Sequence, residues 1–431
     1  MRIAYVTAGA AGMYCGTCMH DNTLAAAMKR AGHDVALLPT YTPMRTDEDD
    51  DSDGHVFYGA INVFLEQKTS LFRHTPRVVD RLFNNRALLQ WAGKVGASSN
   101  QAKDLGPLTL SVLEGEDGRQ SKELDELVTF LESTWKPDVV HLSNSLMAGM
   151  ARRIVEDVGV PVVCSVQGED LFVDDLESPW RDRVLEVMRA RAKDVSAFVA
   201  PSTFYVDVMA DVLDVPRERF HRIGLGLNLE GHGDKPPELP EEPFTVGYLA
   251  RICPEKGLHV LAAAFRALAE RVGRDRVRLK VAGYLGERDR PFLDGVRDQI
   301  TAWGLSDRVE IEGEVDRAAK IAFLRSLHVL SVPAVYREPK GLYVLEALAN
   351  GVPVVEPRHG AFPEMIEATG GGILVEPDSA EALSEGLATL MGDPERRRAL
   401  GARGQVAVRA GWTDRTAADR VVDLYRRLTT G

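Results

Sequence analysis

Short β-branched runs alternate with amphipathic stretches through both halves of this 431-residue chain, and that alternation narrows the possible folds more than any single residue does. The first half opens with an apolar run at 2–8, a Gly-bearing loop, a helical stretch at 22–31 and a second run at 33–39. The rhythm resumes with helices near 121–135 and from Leu146, and with strands at 138–142, 160–166, 197–200 and 222–225. Residues 230–243, rich in Gly, Pro and Glu, break it and read as a linker. A second series follows, with strands at 244–249, 278–282, 309–312, 328–332, 352–356 and 372–375, and a last amphipathic helix from Trp412. Wholly apolar strands separated by helices predict parallel sheets covered on both faces. The expected architecture is α/β, with one doubly wound domain over 1–229, another over 244–411, and a terminal helix over 412–431.

Length agrees, because a chain this long divides naturally into two cores of about 200 residues. A net charge of -12 argues against a nucleic-acid surface, since phosphate backbones are held by Lys and Arg clusters. Residues 1–6 read as a strand rather than a leader, and no apolar run approaches the roughly 20 residues that cross a bilayer, so a cytoplasmic protein is expected. Four cysteines do not suggest a disulfide framework, and the Cys15/Cys18 pair lacks a surrounding thioredoxin pattern. Arg73, Arg77, Arg81, Arg86 and Lys94 interleave with Val78, Leu82, Phe83, Leu88 and Trp91. That stretch is either an ordinary surface helix or a face for weak peripheral contact with a membrane or an anionic acceptor.

The densest chemistry lies between Tyr336 and Gly351. Pro339 pushes Glu338 out of helical geometry and onto a loop, the next helix starts near Gly341, and Gly351 ends it. Glu346 then projects from the first or second turn. Two carboxylates and the backbone N–H groups of Gly341 and Leu342 are the groups a nucleotide sugar asks for: acceptors for hydroxyls and donors for phosphate at a helix N-terminus. A carboxylate complementing the helix dipole, beside a solvated loop Glu, is the plainer alternative.

Glu338, Gly341 and Glu346 resemble the E-x7-E signature of the retaining GT-B glycosyltransferases, the large family that includes glycogen synthases, sucrose synthases and mannosyltransferases. The resemblance runs over most of the chain and is strongest over 246–375. It implies two Rossmann-like domains facing across a cleft, with the donor on the second and the acceptor on the first, and the last helix crossing back to the first. Arg251 and Lys256, on the loop 250–257, look like the family's cation pair for the donor pyrophosphate, and with Glu338 they are the implied catalytic residues. Gly12, Gly341, Leu342, Glu346 and Glu364 are the implied donor-binding residues; Glu364 belongs to a G-x-PE-like loop, and Gly12 to a glycine loop that lacks the G-x-G-x-x-G spacing. His20, His141, Asn144, Gln167 and Asp170 are acceptor-side candidates, with a satisfied core histidine as the alternative for His141.

Many relatives place a histidine where Gln167 stands, and a glutamine hydrogen-bonds without titrating near neutrality. The implied front-face transfer, in which the departing phosphate helps deprotonate the acceptor, tolerates that change; a double displacement would need Glu169 or Asp170. The resemblance implies no metal and no bound cofactor, only a nucleotide-diphosphate sugar as co-substrate. The acceptor is left open among a carbohydrate, a polyol, a sugar phosphate and a lipid, as are the base, the hexose and the oligomeric state. An epimerase or a phosphorylase on the same architecture, or a non-catalytic nucleotide-sugar binder, are the rival readings; no pyridoxal-phosphate lysine is evident.

Overall fold

Runs of two to six residues become the strands of two all-parallel sheets in a computed structural model that describes residues 1–9, 16–41, 44, 46–52 and 102–430. Gly12, Cys15 and the basic stretch from Arg73 to Lys94 lie outside the described residues. The chain divides into two units, Met1–Gly226 with Asp414–Gly431, and Leu227–Thr413.

The first unit holds β1 (Arg2–Thr7), β2 (Asp34–Pro39), β3 (Val139–Leu142), β4 (Val162–Ser165), β5 (Ala197–Ala200) and β6 (Phe220–Arg222), in the order β2-β1-β3-β4-β5-β6. Alternate residues of β1 face opposite layers: Ala4 and Val6 join one core, Ile3 and Tyr5 the other. That second core is closed by the final helix Asp414–Thr429, which brings down Ala417, Ala418, Val421, Val422, Leu424 and Tyr425 at helical spacing while Arg415, Arg420 and Arg426 stay exposed. The terminal helix thus belongs to the first unit.

Beneath that helix His141 is fully buried, stacked 4.4 Å from the ring of Tyr5. Its Nδ1 shares a 2.5 Å hydrogen bond with Tyr425 Oη and its Nε2 a 2.8 Å bond with Ser165 Oγ. Burial, and then the charge of His20, push its pKa down to about 3, so the ring is neutral. His141 therefore has no surface to offer an acceptor; it joins the helix to the sheet. Tyr425→Phe, which leaves one buried ring nitrogen unpaired, is expected to cost about 1–3 kcal/mol, read as a lowered Tm. An unchanged Tm would show that the contact carries no stability.

The second unit contains β7 (Phe244–Leu249), β8 (Val277–Ala282), β9 (Val309–Ile311), β10 (Val329–Leu330), β11 (Val354–Pro357) and β12 (Gly372–Val375), in the order β12-β11-β10-β7-β8-β9. The chain runs outward from β7 to β9 and returns to add β10 on the other side of β7. This reversal opens a crevice beyond the C-terminal ends of β7 and β10, the usual ligand position in such sheets. Residues 230–243, expected as the linker, are grouped with the second unit and are held on it. Arg317 donates to the carbonyls of Asn228 and Glu230, His328 Nε2 to that of Pro240, and Arg397 and Arg398 pair with Glu241, all within the second unit.

Candidate active site in the second unit

The loops after β7 and β10 are joined through their backbones. Val335 N donates to Glu255 O at 3.0 Å. Gly257 turns with a φ of 72°, and a Cβ there would stand 1.8 Å from Pro333 O, so a side chain would force the two loops apart. Lys256, just before this glycine, is thereby delivered to the Tyr336–Glu338 segment, which lies 82 positions on in the sequence.

Lys256 Nζ forms an ion pair with Glu338 Oε2 and donates to Tyr336 Oη at 2.6 Å. It also lies 5.0 and 5.4 Å from the ring centroids of Tyr336 and Tyr343. Glu338 is 3% exposed. Its Oε2 accepts from Tyr336 Oη at 2.7 Å and Tyr343 Oη at 3.1 Å, and its Oε1 from Lys340 N at 3.3 Å. Burial alone would raise its pKa; the Lys256 charge and the converging donors overcome this and hold it at about 2. The site therefore keeps a carboxylate and a cation, both largely removed from water.

A second carboxyl lies close by. Glu356, on β11, is fully buried and accepts from Val332 N at 3.1 and 3.3 Å. Burial, reinforced by the charge on Glu338, pushes its pKa well above the ordinary range, whereas Glu338 is held below it. Opposite environments thus push the two carboxyl pKa values apart. Because the unfolded chain ionises this group first, Glu356 subtracts stability as pH rises above about 4.5. Glu356→Gln is expected to flatten the pH dependence of chemical-denaturation stability above about pH 4.5, where this group makes the wild type decline. Parallel curves for the two proteins would contradict this.

The other residues expected to bind the donor sit on the helices and loops that follow β7, β10 and β11. Gly341 caps the helix Leu342–Ala349 with a φ of 66°, and a Cβ there would lie 3.2 Å from Met365 Sδ. Leu342 is the first helical residue, and Glu346, 5% exposed, points from the second turn to an ion pair with Lys320. Arg251 is exposed, and its guanidinium reaches Cys253 Sγ at 3.3 Å and Glu255 at 3.9 Å, not Glu338 or Glu346. Glu364 is half-buried in the first turn of the helix Phe362–Thr369. That helix's leading loop lies on Glu338: Ala361 N donates to Glu338 O at 2.8 Å, and a Cβ on Gly360 would meet Glu338 N at 2.7 Å.

In the first unit, Gln167 Nε2 donates to Ser143 O at 2.8 Å and to Asp21 Oδ1 at 3.2 Å. Asp21, fully buried, also accepts from Tyr5 Oη and Thr7 Oγ1. Nothing in the sequence marks Asp21, because an acid on the second turn of a helix ordinarily faces solvent. Asn144 caps the turn that follows it by accepting from Leu146 N, Asp170 accepts from Tyr205 Oη at 2.7 Å, and His20 is half-buried on the helix Gly16–Arg30. Glu169 ties the loops after β3 and β4 by accepting from Ser145 N, Gln167 N and Gly168 N. Among the described residues no group of His, Cys, Asp and Glu could hold a metal, and no helix is long and apolar enough to cross a membrane.

Known proteins share both halves. Residues 233–406 match the family described as glycosyl transferases group 1, and 21–226 match the glycosyl transferase 4-like domain. A GDP-mannose-dependent alpha-(1-6)-phosphatidylinositol monomannoside mannosyltransferase of Mycobacterium tuberculosis is 31% identical over 194 residues, 44% of this chain and 48% of that protein. The chain thus spans about half the length of that curated relative. Among solved structures, sucrose-phosphate synthase from Thermosynechococcus elongatus superposes with a TM-score of 0.72 at 18% identity, covering 100% of both chains. Anabaena HepE, crystallised with UDP-glucose, does so with a TM-score of 0.66 at 16% identity, covering 99% of this chain and 100% of the other. With the two sheets, these matches show that the chain belongs to the GT-B glycosyltransferases, a glycosyl transferase 4-like domain followed by a group 1 domain.

Proposed function

We propose that this protein is a retaining glycosyltransferase that takes a hexose from a nucleotide-diphosphate sugar held by the second unit. The observation that carries this reading is the buried Lys256–Glu338 pair at the C-terminal ends of β7 and β10. Breaking a glycosyl–phosphate bond leaves a diphosphate with growing negative charge. A cation fixed in a water-poor site stabilises that charge more in the transition state than in the ground state. In this reading Lys256 and Arg251 take the diphosphate, Gly341 and Leu342 offer backbone donors, and Glu338 takes a sugar hydroxyl. Transfer proceeds on the front face, with the departing phosphate helping to deprotonate the acceptor and no metal required.

The M. tuberculosis relative is named for GDP-mannose and HepE was crystallised with UDP-glucose, which supports a nucleotide-sugar donor and leaves the base open. The acceptor class is a carbohydrate, polyol, sugar phosphate or lipid. The test is a thermal-shift screen with UDP, ADP and GDP sugars, followed by product analysis with the donor that raises the Tm. Transfer with the anomeric configuration kept is the expected result. Net epimerisation, sugar 1-phosphate release from a glucan, or binding without transfer or hydrolysis would each overturn it.

A further inference from the structure

Glu356, fully buried on β11, takes no part in the chemistry proposed above. Its two oxygens share a single donor, Val332 N, at 3.1 and 3.3 Å, and among the described residues no cation pairs with it. One shared N–H offsets little of the cost of taking a carboxylate out of water, whereas the same group with its proton on costs far less to bury. Within reach of its charge lie Tyr248 from β7, Lys256 from the loop after β7, Glu338 from the loop after β10 and Tyr343 from the helix Leu342–Ala349. Glu346 on that helix is taken by Lys320, β12 sets Leu374 opposite, and the acids of the helix Ala380–Gly392, Glu381 and Glu385, are exposed. Glu338 is already an anion above about pH 4.5, and burial holds both tyrosines above their ordinary range. Of these acids, Glu356 is the one left to change charge as pH rises from there.

We propose that Glu356 couples donor binding to a proton: the diphosphate is held while this carboxyl is protonated, and ionisation of the carboxyl weakens the hold. This rests on the nucleotide-sugar reading above. With Lys256 paired to Glu338, the charges at the C-terminal ends of β7 and β10 cancel while Glu356 keeps its proton. Losing that proton leaves a net negative charge close to the cation that takes the diphosphate. In a water-poor site the repulsion is little screened. By linkage, a bound diphosphate in turn favours the protonated carboxyl, so binding takes up a proton from solvent wherever the free protein has lost it. No bond of the substrate is made or broken, and Glu356 touches no substrate.

The proposal is tested by measuring the affinity of UDP-glucose, ADP-glucose and GDP-mannose for the full chain without acceptor, in the wild type and in Glu356→Gln, at steps from about pH 4.5 upward. The phosphates of these sugar diphosphates do not titrate over that range, so the changes belong to the protein. At the acid end the two proteins should bind alike, because the amide imitates the protonated acid. As pH rises the wild type should lose affinity, until Glu356→Gln binds about tenfold or more tightly than it does. Calorimetry in buffers of unlike ionisation enthalpy should show the wild type taking up more protons per bound donor than the variant where the two affinities part. His259, His359 and Asp289 also titrate in this unit but are common to both proteins. Should Glu356→Gln fail to fold, Glu356→Met, which likewise cannot ionise, should show the same shallower profile. A merely structural carboxyl would change the Tm and leave the affinity profiles parallel; that result overturns the proposal and leaves the donor reading standing. A wild type that binds none of the three nucleotide sugars at any pH overturns both.

Discussion

Lys256→Met is expected to lower transfer from a nucleotide-sugar donor by about two orders of magnitude or more, with kcat falling further than KM rises. The side chain is a preorganised cation, held by Glu338 and Tyr336 and flanked by two aromatic rings. Losing a group of this kind costs about 2.7–4 kcal/mol of transition-state stabilisation, which sets the size of the effect. Methionine keeps the unbranched stem against Tyr336 and Tyr343 and removes only the charge. The substitution also leaves Glu338 buried without its cation, and breaking a buried pair from one side destabilises by about 3–5 kcal/mol. The two effects are separable. In the double variant Lys256→Met/Glu338→Gln the stranded charge is gone, so the Tm should recover while turnover does not. A folded Lys256→Met protein within tenfold of wild-type turnover would remove Lys256 from the chemistry.

The positions of the catalytic candidates along the chain were readable because they follow from local rules. Pro339 put Glu338 on a loop, and Gly341 started the helix that carries Glu346. The apolar strands announced two parallel sheets, and the amphipathic stripe from Ala417 to Tyr425 announced the last helix. What stayed hidden depends on neighbours distant in sequence. Lys256 was expected beside a diphosphate, but its ion pair with Glu338 joins segments 82 positions apart, and nothing local marks Lys320 as the partner of Glu346. Nothing local shows that the hydroxyls of Tyr336 and Tyr343 turn onto Glu338. The Gly- and Pro-rich composition of 230–243 could not reveal that arginines and a histidine of the second unit bind its carbonyls and Glu241. His141 shows the same limit from the other side: the end of a strand is a fair place to look for a ligand group, but Tyr425 closes over it from the far end of the chain.

Acid should weaken the second unit through Glu338 before the carboxyl is fully protonated. Its folded pKa of about 2 lies below the ordinary 4.5, so the pair's contribution is complete above about pH 4.5 and is lost as pH falls toward about 2. At about 1.4 kcal/mol for each tenfold change in proton affinity, that loss is on the order of 3 kcal/mol. Other buried groups titrate as well, among them His141, His328 and Glu356, and their signs and starting points tell them from Glu338. His141, neutral with a pKa of about 3 against an ordinary 6.5, also loses stability in acid, but its loss begins near pH 6.5 and belongs to the first unit. Glu356, with its pKa raised, gains stability as pH falls. These groups remain in a Glu338→Gln protein, so the difference between wild-type and variant denaturation free energies isolates Glu338. That difference should be largest above about pH 5 and shrink steadily toward about pH 2. Parallel wild-type and variant curves through this range would mean that Glu338 is not held as an anion by Lys256, and the electrostatic basis assigned to the site would be lost with it.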